Sequence, residues 1–398
     1  MRIMMLSWEY PPRIIGGISR HVEELADALA RRDLEIHVIT CEVDGAPEEE
    51  VIDGVFIHRV PADGDMAADF VPWIKSLNAY TERKVDELLA AEPDTPTLLH
   101  AHDWLSEFAA ASLKNKHKIP LVATIHATEH GRNYGIHTDM QRYISHVEWE
   151  LSYEAWRVIV CSEFMTEEVN HALATPLDKM DVVPNGVKAD KFNFAFPDKD
   201  EFRAFYAAPD EKIIFHVGRN VREKGGQVLI NAFKKLLSDQ PNSKLVIAGG
   251  GNRGWLKDQA EALGISDRIY FTGFVDDLTL LKIYKVSDVA VFPSLYEPFG
   301  IVALEAMAAR VPVVVSDIGG LREVVDHDIN GIVTWADNSD SLAWGILEAF
   351  RKSPLQVARM VDAAYEKATT VFSWDKIAEQ TEAVYKRTWA EYTNTDWK

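Results

Sequence analysis

The sequence predicts an α/β protein built as two Rossmann-like, doubly wound parallel-sheet domains facing a central cleft. Three observations carry that prediction. Short, almost wholly apolar runs alternate with amphipathic stretches. The alternation breaks at a polar, proline-containing segment around residues 184–209 and then restarts. Most of the apolar runs are too hydrophobic to leave one face in water, which suits a parallel sheet covered by helices on both sides.

In the first half, strands are expected near residues 3–7, 36–40, 56–60, 98–101, 121–125, 158–161 and 180–183. The first helix, over 18–32, aligns Val22, Leu25, Ala26 and Leu29 on one face. In the second half, strands are expected near 213–217, 244–248, 268–272, 289–292, 311–316 and 331–334, with helices such as 226–237 and 301–309 between them. Repeated βα units of this kind imply right-handed crossovers. The domains are therefore 1–190 and 205–370, joined by a linker over 184–209 that opens on the turn signal Pro184-Asn185-Gly186 and serves as the hinge. Residues 373–389 of the tail read as a helix, with Ser373 as cap and Ile377, Thr381, Val384 and Tyr385 along one side.

The 398 residues are 47% hydrophobic and 26% charged, which is ordinary globular material with ample core. A formal net charge of -20 argues against nucleic acid or an anionic membrane as partner. It also requires that any phosphate ligand be met by a local group of cations. Cys41 and Cys161 each end an apolar run and read as small buried hydrophobes; two cysteines make no disulfide framework. The opening residues lack the features of a signal peptide, and no window approaches 18 apolar residues, so the expected location is the cytoplasm with no integral membrane segment. A homo-oligomer is left open.

Four segments carry chemistry. The first runs Glu297-Pro298-Phe299-Gly300-Ile301-Val302-Ala303-Leu304-Glu305. It follows a strand, and ligands of open α/β sheets bind beyond the carboxyl ends of strands. Gly300 admits a close backbone approach, and the N–H groups of Gly300, Ile301 and Val302 at a helix start suit an anion. Glu297 precedes the helix and Glu305 lies in its second turn, so they do not form a close pair on one helical face. They read two parts of one extended ligand, each carboxylate accepting from a vicinal diol. The plainer alternative for Glu305 is an exposed helical glutamate; Glu297 has no evident structural duty in the sequence.

The second segment is Gly218-Arg219-Asn220-Val221-Arg222-Glu223-Lys224-Gly225-Gly226, again between strand and helix. Arg219 as a bidentate fork and Lys224 as a point charge supply the cations that a diphosphate needs, with Arg222 a bystander. The alternative is a solvated basic loop. The third is Gly16-Gly17 before the first helix, which permits approach to phosphate oxygens but equally suits a plain tight turn. The fourth is the set His100-Ala101-His102-Asp103-Trp104 with Thr124-Ile125-His126, placed just past strand ends. His126 reads as a polar contact to a sugar hydroxyl or as a satisfied core histidine. His100 and His102 alternate along a strand, and with no third ligand evident no metal is assigned. Three further patterns are set aside. Gly249 to Gly254 has the wrong spacing for a dinucleotide fingerprint, although Gly250, with Val275, is placed at the border of the nucleotide. Asp63-Gly64-Asp65 and Asp326-His327-Asp328 match the Asp-x-Asp of metal-dependent transferases but sit in acidic, surface-like loops.

Together these residues resemble family 4 of the retaining glycosyltransferases, of GT-B fold. The resemblance spans nearly the whole chain and rests on Glu297 to Glu305, Gly218-Arg219 with Lys224-Gly225, Pro184-Asn185-Gly186-Val187, and Asp317-Ile318-Gly319-Gly320-Leu321-Arg322-Glu323. It implies that Glu305 binds a ribose and Glu297 the donor hexose, that Arg219 and Lys224 hold the diphosphate, and that His126 lines the donor sugar. Gly17, with Gly16, and Phe299, Gly300 and Ile301 add backbone contacts. It also implies that the tail, about 373–398, crosses back onto the first domain. Trp8-Glu9-Tyr10-Pro11-Pro12 and the segment from His100 to Trp104 resemble glycogen and starch synthases, which places Asp103 and Glu9 on the acceptor side. Two departures stand out. Ile14, beside Arg13, fills a slot where lysine is common in bacterial glycogen synthases, and Glu305 stands where tyrosine is common there. ADP, UDP and GDP all remain open as carriers. The implied substrates are a nucleotide sugar and a carbohydrate acceptor, with no cofactor and no metal. A sugar-nucleotide epimerase and a non-catalytic sugar-binding protein are the competing readings.

Overall fold

The structure, a computed structural model, describes residues 1–397. The chain forms two compact units. One comprises Met1–Asn185 together with the chain from Trp374 onward, and the other comprises Gly186–Ser373.

The first unit is built on eight strands: β1 (Arg2–Leu6), β2 (Glu35–Cys41), β3 (Glu49–Ile52), β4 (Val55–Val60), β5 (Thr97–His102), β6 (Leu121–Ile125), β7 (Arg157–Val160) and β8 (Met180–Val182). Their order across the sheet is β3-β4-β2-β1-β5-β6-β7-β8. All neighbours run parallel except β3, which pairs antiparallel with β4. β3 corrects the all-parallel reading of the sequence. Its turn is Asp53-Gly54, with φ of 51° and 86°, the two-residue hairpin connection that matches strand twist. The strand lies at the sheet edge and is largely exposed, so its acidic residues mask it as a loop.

β1, β5 and β6 are wholly buried, as strands covered on both faces must be. Helix Gly17–Ala30 covers one face through Val22, Leu25, Ala26 and Leu29. Helix Trp374–Thr393 packs beside it, adding Ile377, Ala378, Val384 and Tyr385 to the same core. Each buried Val, Leu or Ile among them contributes about 1.5–3 kcal/mol by leaving water. The Tyr385 hydroxyl also bonds His100 Nδ1 at 2.7 Å, pinning the tail helix to β5.

The second unit has six strands: β9 (Lys212–Val217), β10 (Ser243–Ala248), β11 (Ile269–Gly273), β12 (Val289–Phe292), β13 (Val313–Ser316) and β14 (Ile332–Thr334). Their order is β11-β10-β9-β12-β13-β14, all parallel. Helix Gly226–Leu236 seals one face with Leu229, Ile230, Phe233 and Leu236, all fully buried. In both sheets the winding reverses at one point, between β1 and β5 and between β9 and β12. Crevices open at such switch points, beyond the carboxyl ends of the strands.

Candidate functional site

In the second unit, the loops that leave β9 and β12 are tied together at the switch point. The Leu295 N–H donates to the Glu223 carbonyl at 2.7 Å. The Lys224 ammonium donates to Glu297 Oε2 at 2.8 Å, and the Ser294 hydroxyl donates to the same oxygen at 3.0 Å. Glu297 is almost wholly buried, and its carbonyl accepts from the Gly320 N–H in the loop after β13. Glu297 therefore has a structural duty that the sequence did not reveal. Arg219 is half exposed and pairs with Glu223 Oε1 at 2.8 Å. The two cations assigned to a diphosphate thus flank one crevice, each resting on a carboxylate.

Gly300 opens helix Ile301–Ala308 with φ of 107°, and a Cβ there would lie 2.5 Å from Leu321 Cδ2. Phe299 is buried against Phe372, while Ile301 is half-buried. Glu305 is not an exposed glutamate: the buried Tyr284 donates to its Oε2 at 3.0 Å. Asn220 joins the β9 loop to the β10 loop by donating to the carbonyls of Gly249 and Gly250. Gly249 approaches so closely that a Cβ would meet the Gly218 carbonyl oxygen at 1.8 Å. Val275 is half-buried ahead of helix Asp277–Val286. Ser294, Tyr284 and Asn220 were not singled out from sequence. Asn220 alone left a signal, its place between Arg219 and a flexible glycine frame.

In the first unit, the β1, β5 and β6 loops meet at the other switch point. Glu9 is buried, and its Oε2 accepts from the N–H groups of Ile15 and Gly16 at 2.7 and 2.9 Å. It thereby fixes the loop that leads into Gly17, the first residue of the helix. Burial raises its pKa, the larger effect, against the pull of those two donors. Asp103 holds φ of 59° and accepts from the His126 main-chain N–H at 2.7 Å, which binds the β5 loop to the β6 loop. Burial lifts its pKa to about 6, opposed by Arg132, whose guanidinium lies 3.9 Å away. His126 is held neutral, its pKa pressed to about 3 by burial. After it, Thr128 caps a helical turn over Glu129–Arg132.

The His100–His102 pairing read from strand alternation is replaced by another grouping. Both His100 nitrogens are engaged, by Tyr385 and by the Thr124 hydroxyl at 2.7 Å. His102 instead meets His126, which the sequence placed in the same set, and His21, which it did not single out. The Asp-x-Asp triplets are held by local partners. Asp326 pairs with Lys367 and Asp328 with Lys352, while Asp63 bonds Ser76 and Tyr80.

Two doubly wound sheets, each with polar side chains gathered at its switch point, define the chain as a GT-B protein. Sucrose-phosphate synthase from Thermosynechococcus elongatus shares the fold, with a TM-score of 0.82 and 23% identity over 98% of this chain and 99% of that one. So does HepE of Anabaena, solved with UDP and glucose, at a TM-score of 0.78 and 21% identity over 97% and 100%. Residues 15–191 match the family described as Glycosyltransferase Family 4, and residues 198–367 match Glycosyl transferases group 1. An uncharacterized glycosyltransferase of Methanocaldococcus jannaschii is 42% identical over 97% of this chain and 98% of its own length. Glycogen synthase of Mycobacterium tuberculosis is 34% identical over 97% and 94%. The chain belongs to the family 4 glycosyltransferases. Among the described residues, no helix is long and apolar enough to cross a membrane.

Proposed function

We propose that the chain is a retaining hexosyltransferase that moves glucose from ADP- or UDP-glucose to an α-glucan, with no metal in the transfer step. The observation that carries this reading is the convergence of Arg219, Lys224, Glu297 and the N-terminus of helix Ile301–Ala308 at the β9–β12 switch point. That arrangement suits a ligand with a diphosphate at one end and hydroxyl groups at the other. In this reading Arg219 and Lys224 take the diphosphate, Glu305 the ribose and Glu297 the hexose. Phe299, Gly300 and Ile301 add backbone contacts, Gly250 and Val275 border the nucleotide, and Gly16 and Gly17 approach the phosphates. His126 touches the hexose, while Asp103 and Glu9 serve the acceptor side. Similarity to a glycogen synthase along nearly the full length supports glucan as acceptor.

No nucleophile with a paired base stands in either loop cluster, so the chemistry falls to the substrates. The bond from the anomeric carbon to the diphosphate breaks as the acceptor oxygen bonds to the same face. The departing diphosphate oxygen takes the acceptor's proton. The protein positions the partners and stabilises the developing charge on the leaving group through Arg219 and Lys224.

A second reading is favoured by a specific similarity: D-inositol 3-phosphate glycosyltransferase of Mycolicibacterium smegmatis is 29% identical over 95% of this chain, which supports a small phosphorylated acceptor. A matrix of ADP-, UDP- and GDP-sugars against glycogen, maltooligosaccharides and sugar phosphates decides between them. Nucleotide release with glycogen and retained anomeric configuration is expected. Release only with a sugar phosphate selects the second reading, and conversion of the donor without acceptor selects an epimerase. Arg219→Ala should lower kcat about 10²–10³-fold, the loss typical of one preorganised donor.

A further inference from the structure

Three imidazoles from three different elements converge in the first unit. His21 projects from helix Gly17–Ala30, His102 ends β5, and His126 follows β6. Each offers a ring nitrogen, and these nitrogens lie within 4.8 Å of one another. The ring centroids are 4.6 Å apart for His21 and His126, and 5.4 Å apart for each of the other two pairs.

The hydrogen bonds leave this cluster unsatisfied in a particular way. His21 Nδ1 faces Asn185 Oδ1 at 2.6 Å. An amide oxygen only accepts, so Nδ1 carries the hydrogen and Nε2 presents a lone pair. His21 Nε2 is buried without a hydrogen-bond partner. His102 Nδ1 meets His126 Nε2 at 3.1 Å, and His102 Nε2 is likewise buried without a partner. Buried polar atoms are seldom left unpaired, and each such atom calls for an explanation. Burial also keeps all three rings neutral, the form that ligates metals.

We propose that His21, His102 and His126 form a binding site for a borderline transition-metal ion of the Zn²⁺ class. Three imidazole nitrogens select Zn²⁺, Co²⁺, Ni²⁺ or Cu²⁺ over Mg²⁺ and Ca²⁺, which prefer oxygen. Zn–N bonds near 2.0–2.1 Å set tetrahedral nitrogens about 3.4 Å apart, so the rings draw inward on binding. Asn185, fixing the His21 tautomer from behind, is the outer partner that a metal-bound imidazole requires. Asp103 orients the third ligand through the His126 main chain and places a carboxyl group close by. The ion is no part of the transfer step. Its consequence for turnover rests on the proposed role of His126: an occupied site holds that ring away from the donor hexose, so the metal inhibits.

The test uses the full chain without a polyhistidine tag, stripped with chelator and titrated with Co²⁺ and then with Zn²⁺ against a chromophoric chelator. One ion per chain is expected, with the visible absorption of low-coordinate, histidine-ligated Co²⁺. His102→Gln and His126→Gln should each abolish stoichiometric binding, and His146→Ala, outside the cluster, should keep it. Melting curves confirm that each variant folds, and His126→Gln serves if His102→Gln does not. Absence of a bound ion, as when water fills the site, overturns the proposal, as does a Co²⁺ spectrum unchanged in both variants. One equivalent of Zn²⁺ should lower turnover, because an occupied site withdraws His126 from the donor hexose. Stoichiometric binding with unchanged turnover leaves the site standing and overturns the sugar-contact role of His126.

Discussion

Lys224 and Glu297 form an ion pair of 2.8 Å that bridges the loops after β9 and β12. Glu297 is nearly buried and Lys224 mostly so. The carboxylate parks a cation at the place that the proposed reading assigns to a diphosphate. Removing only the lysine leaves a desolvated carboxylate without its partner, and that is the costly way to break such a pair.

Lys224→Met should therefore lower unfolding free energy by about 1–3 kcal/mol, the cost of leaving a buried group short of a partner, and kcat by about 10²–10³-fold. Adding Glu297→Gln removes the stranded charge while keeping a group that can accept from Ser294. Urea denaturation of the double variant should recover much of the stability while turnover stays low. Recovery of both together would make the pair purely structural.

Tyr284→Phe separates binding from chemistry. The Tyr284 ring is fully buried, and its hydroxyl donates to Glu305 Oε2 at 3.0 Å. Phenylalanine keeps the packing but loses that donor, at about 0.5–1.5 kcal/mol. If Glu305 reads the ribose, the variant should raise KM for the nucleotide sugar several-fold with kcat nearly unchanged. A fall in kcat at constant KM would move Glu305 from the nucleotide to the reacting centre.

Legibility in the sequence followed the physical source of each signal. Buried parallel strands read clearly, because runs such as Val313–Ser316 have no polar face to obscure them. The edge strand Glu49–Ile52 was lost because its side chains meet water and look like loop, although Asp53-Gly54 marked its turn. The glutamates and cations of the second unit were legible as types in sequence. Their pairing was not, since Lys224 and Glu297 lie 73 positions apart and meet only through sheet order. Of the histidine cluster, His102 and His126 were legible as one set past neighbouring strand ends, while His21, on the first helix, meets them only through the fold.

Two glycines in the loops assigned to phosphate contact should respond differently to substitution. Gly16 has an extended φ of -154°, and a Cβ there meets nothing nearer than Glu9 Oε1 at 3.9 Å. Gly225 has φ of 70°, and a Cβ would sit 1.8 Å from the Pro293 carbonyl oxygen. Gly225→Ala should therefore destabilise severely and fail to accumulate as folded protein. Gly16→Ala should melt within about 0.5 kcal/mol of the parent. Activity of this folded variant then reports on a ligand: a loss of kcat/KM places phosphate against the Gly16 backbone, and full activity removes Gly16 from the donor site.

Acid should unfold the chain through its buried histidines. Burial holds His126 near 3 and His216 near 4, and presses His21, His100 and His102 well below the ordinary value. These rings take up protons near pH 6.5 only when the chain unfolds. Their contribution is present above pH 6.5 and is lost as pH falls toward the folded values, at about 1.4 kcal/mol per net proton per pH unit. Burial raises Asp103 to about 6 and Glu107 to about 7, and raises Glu9 and Glu148 as well, so these carboxyls bind protons preferentially in the folded chain and work the other way. The histidines outnumber them, so between pH 6.5 and 5 net stability should fall. Asp103→Asn removes one opposing carboxyl while leaving an oxygen to accept from the His126 N–H. Its urea midpoint should therefore fall more steeply with acid than the parent's across that window. Parallel midpoint curves for the two proteins would show that Asp103 ionises in the folded chain as it does in water.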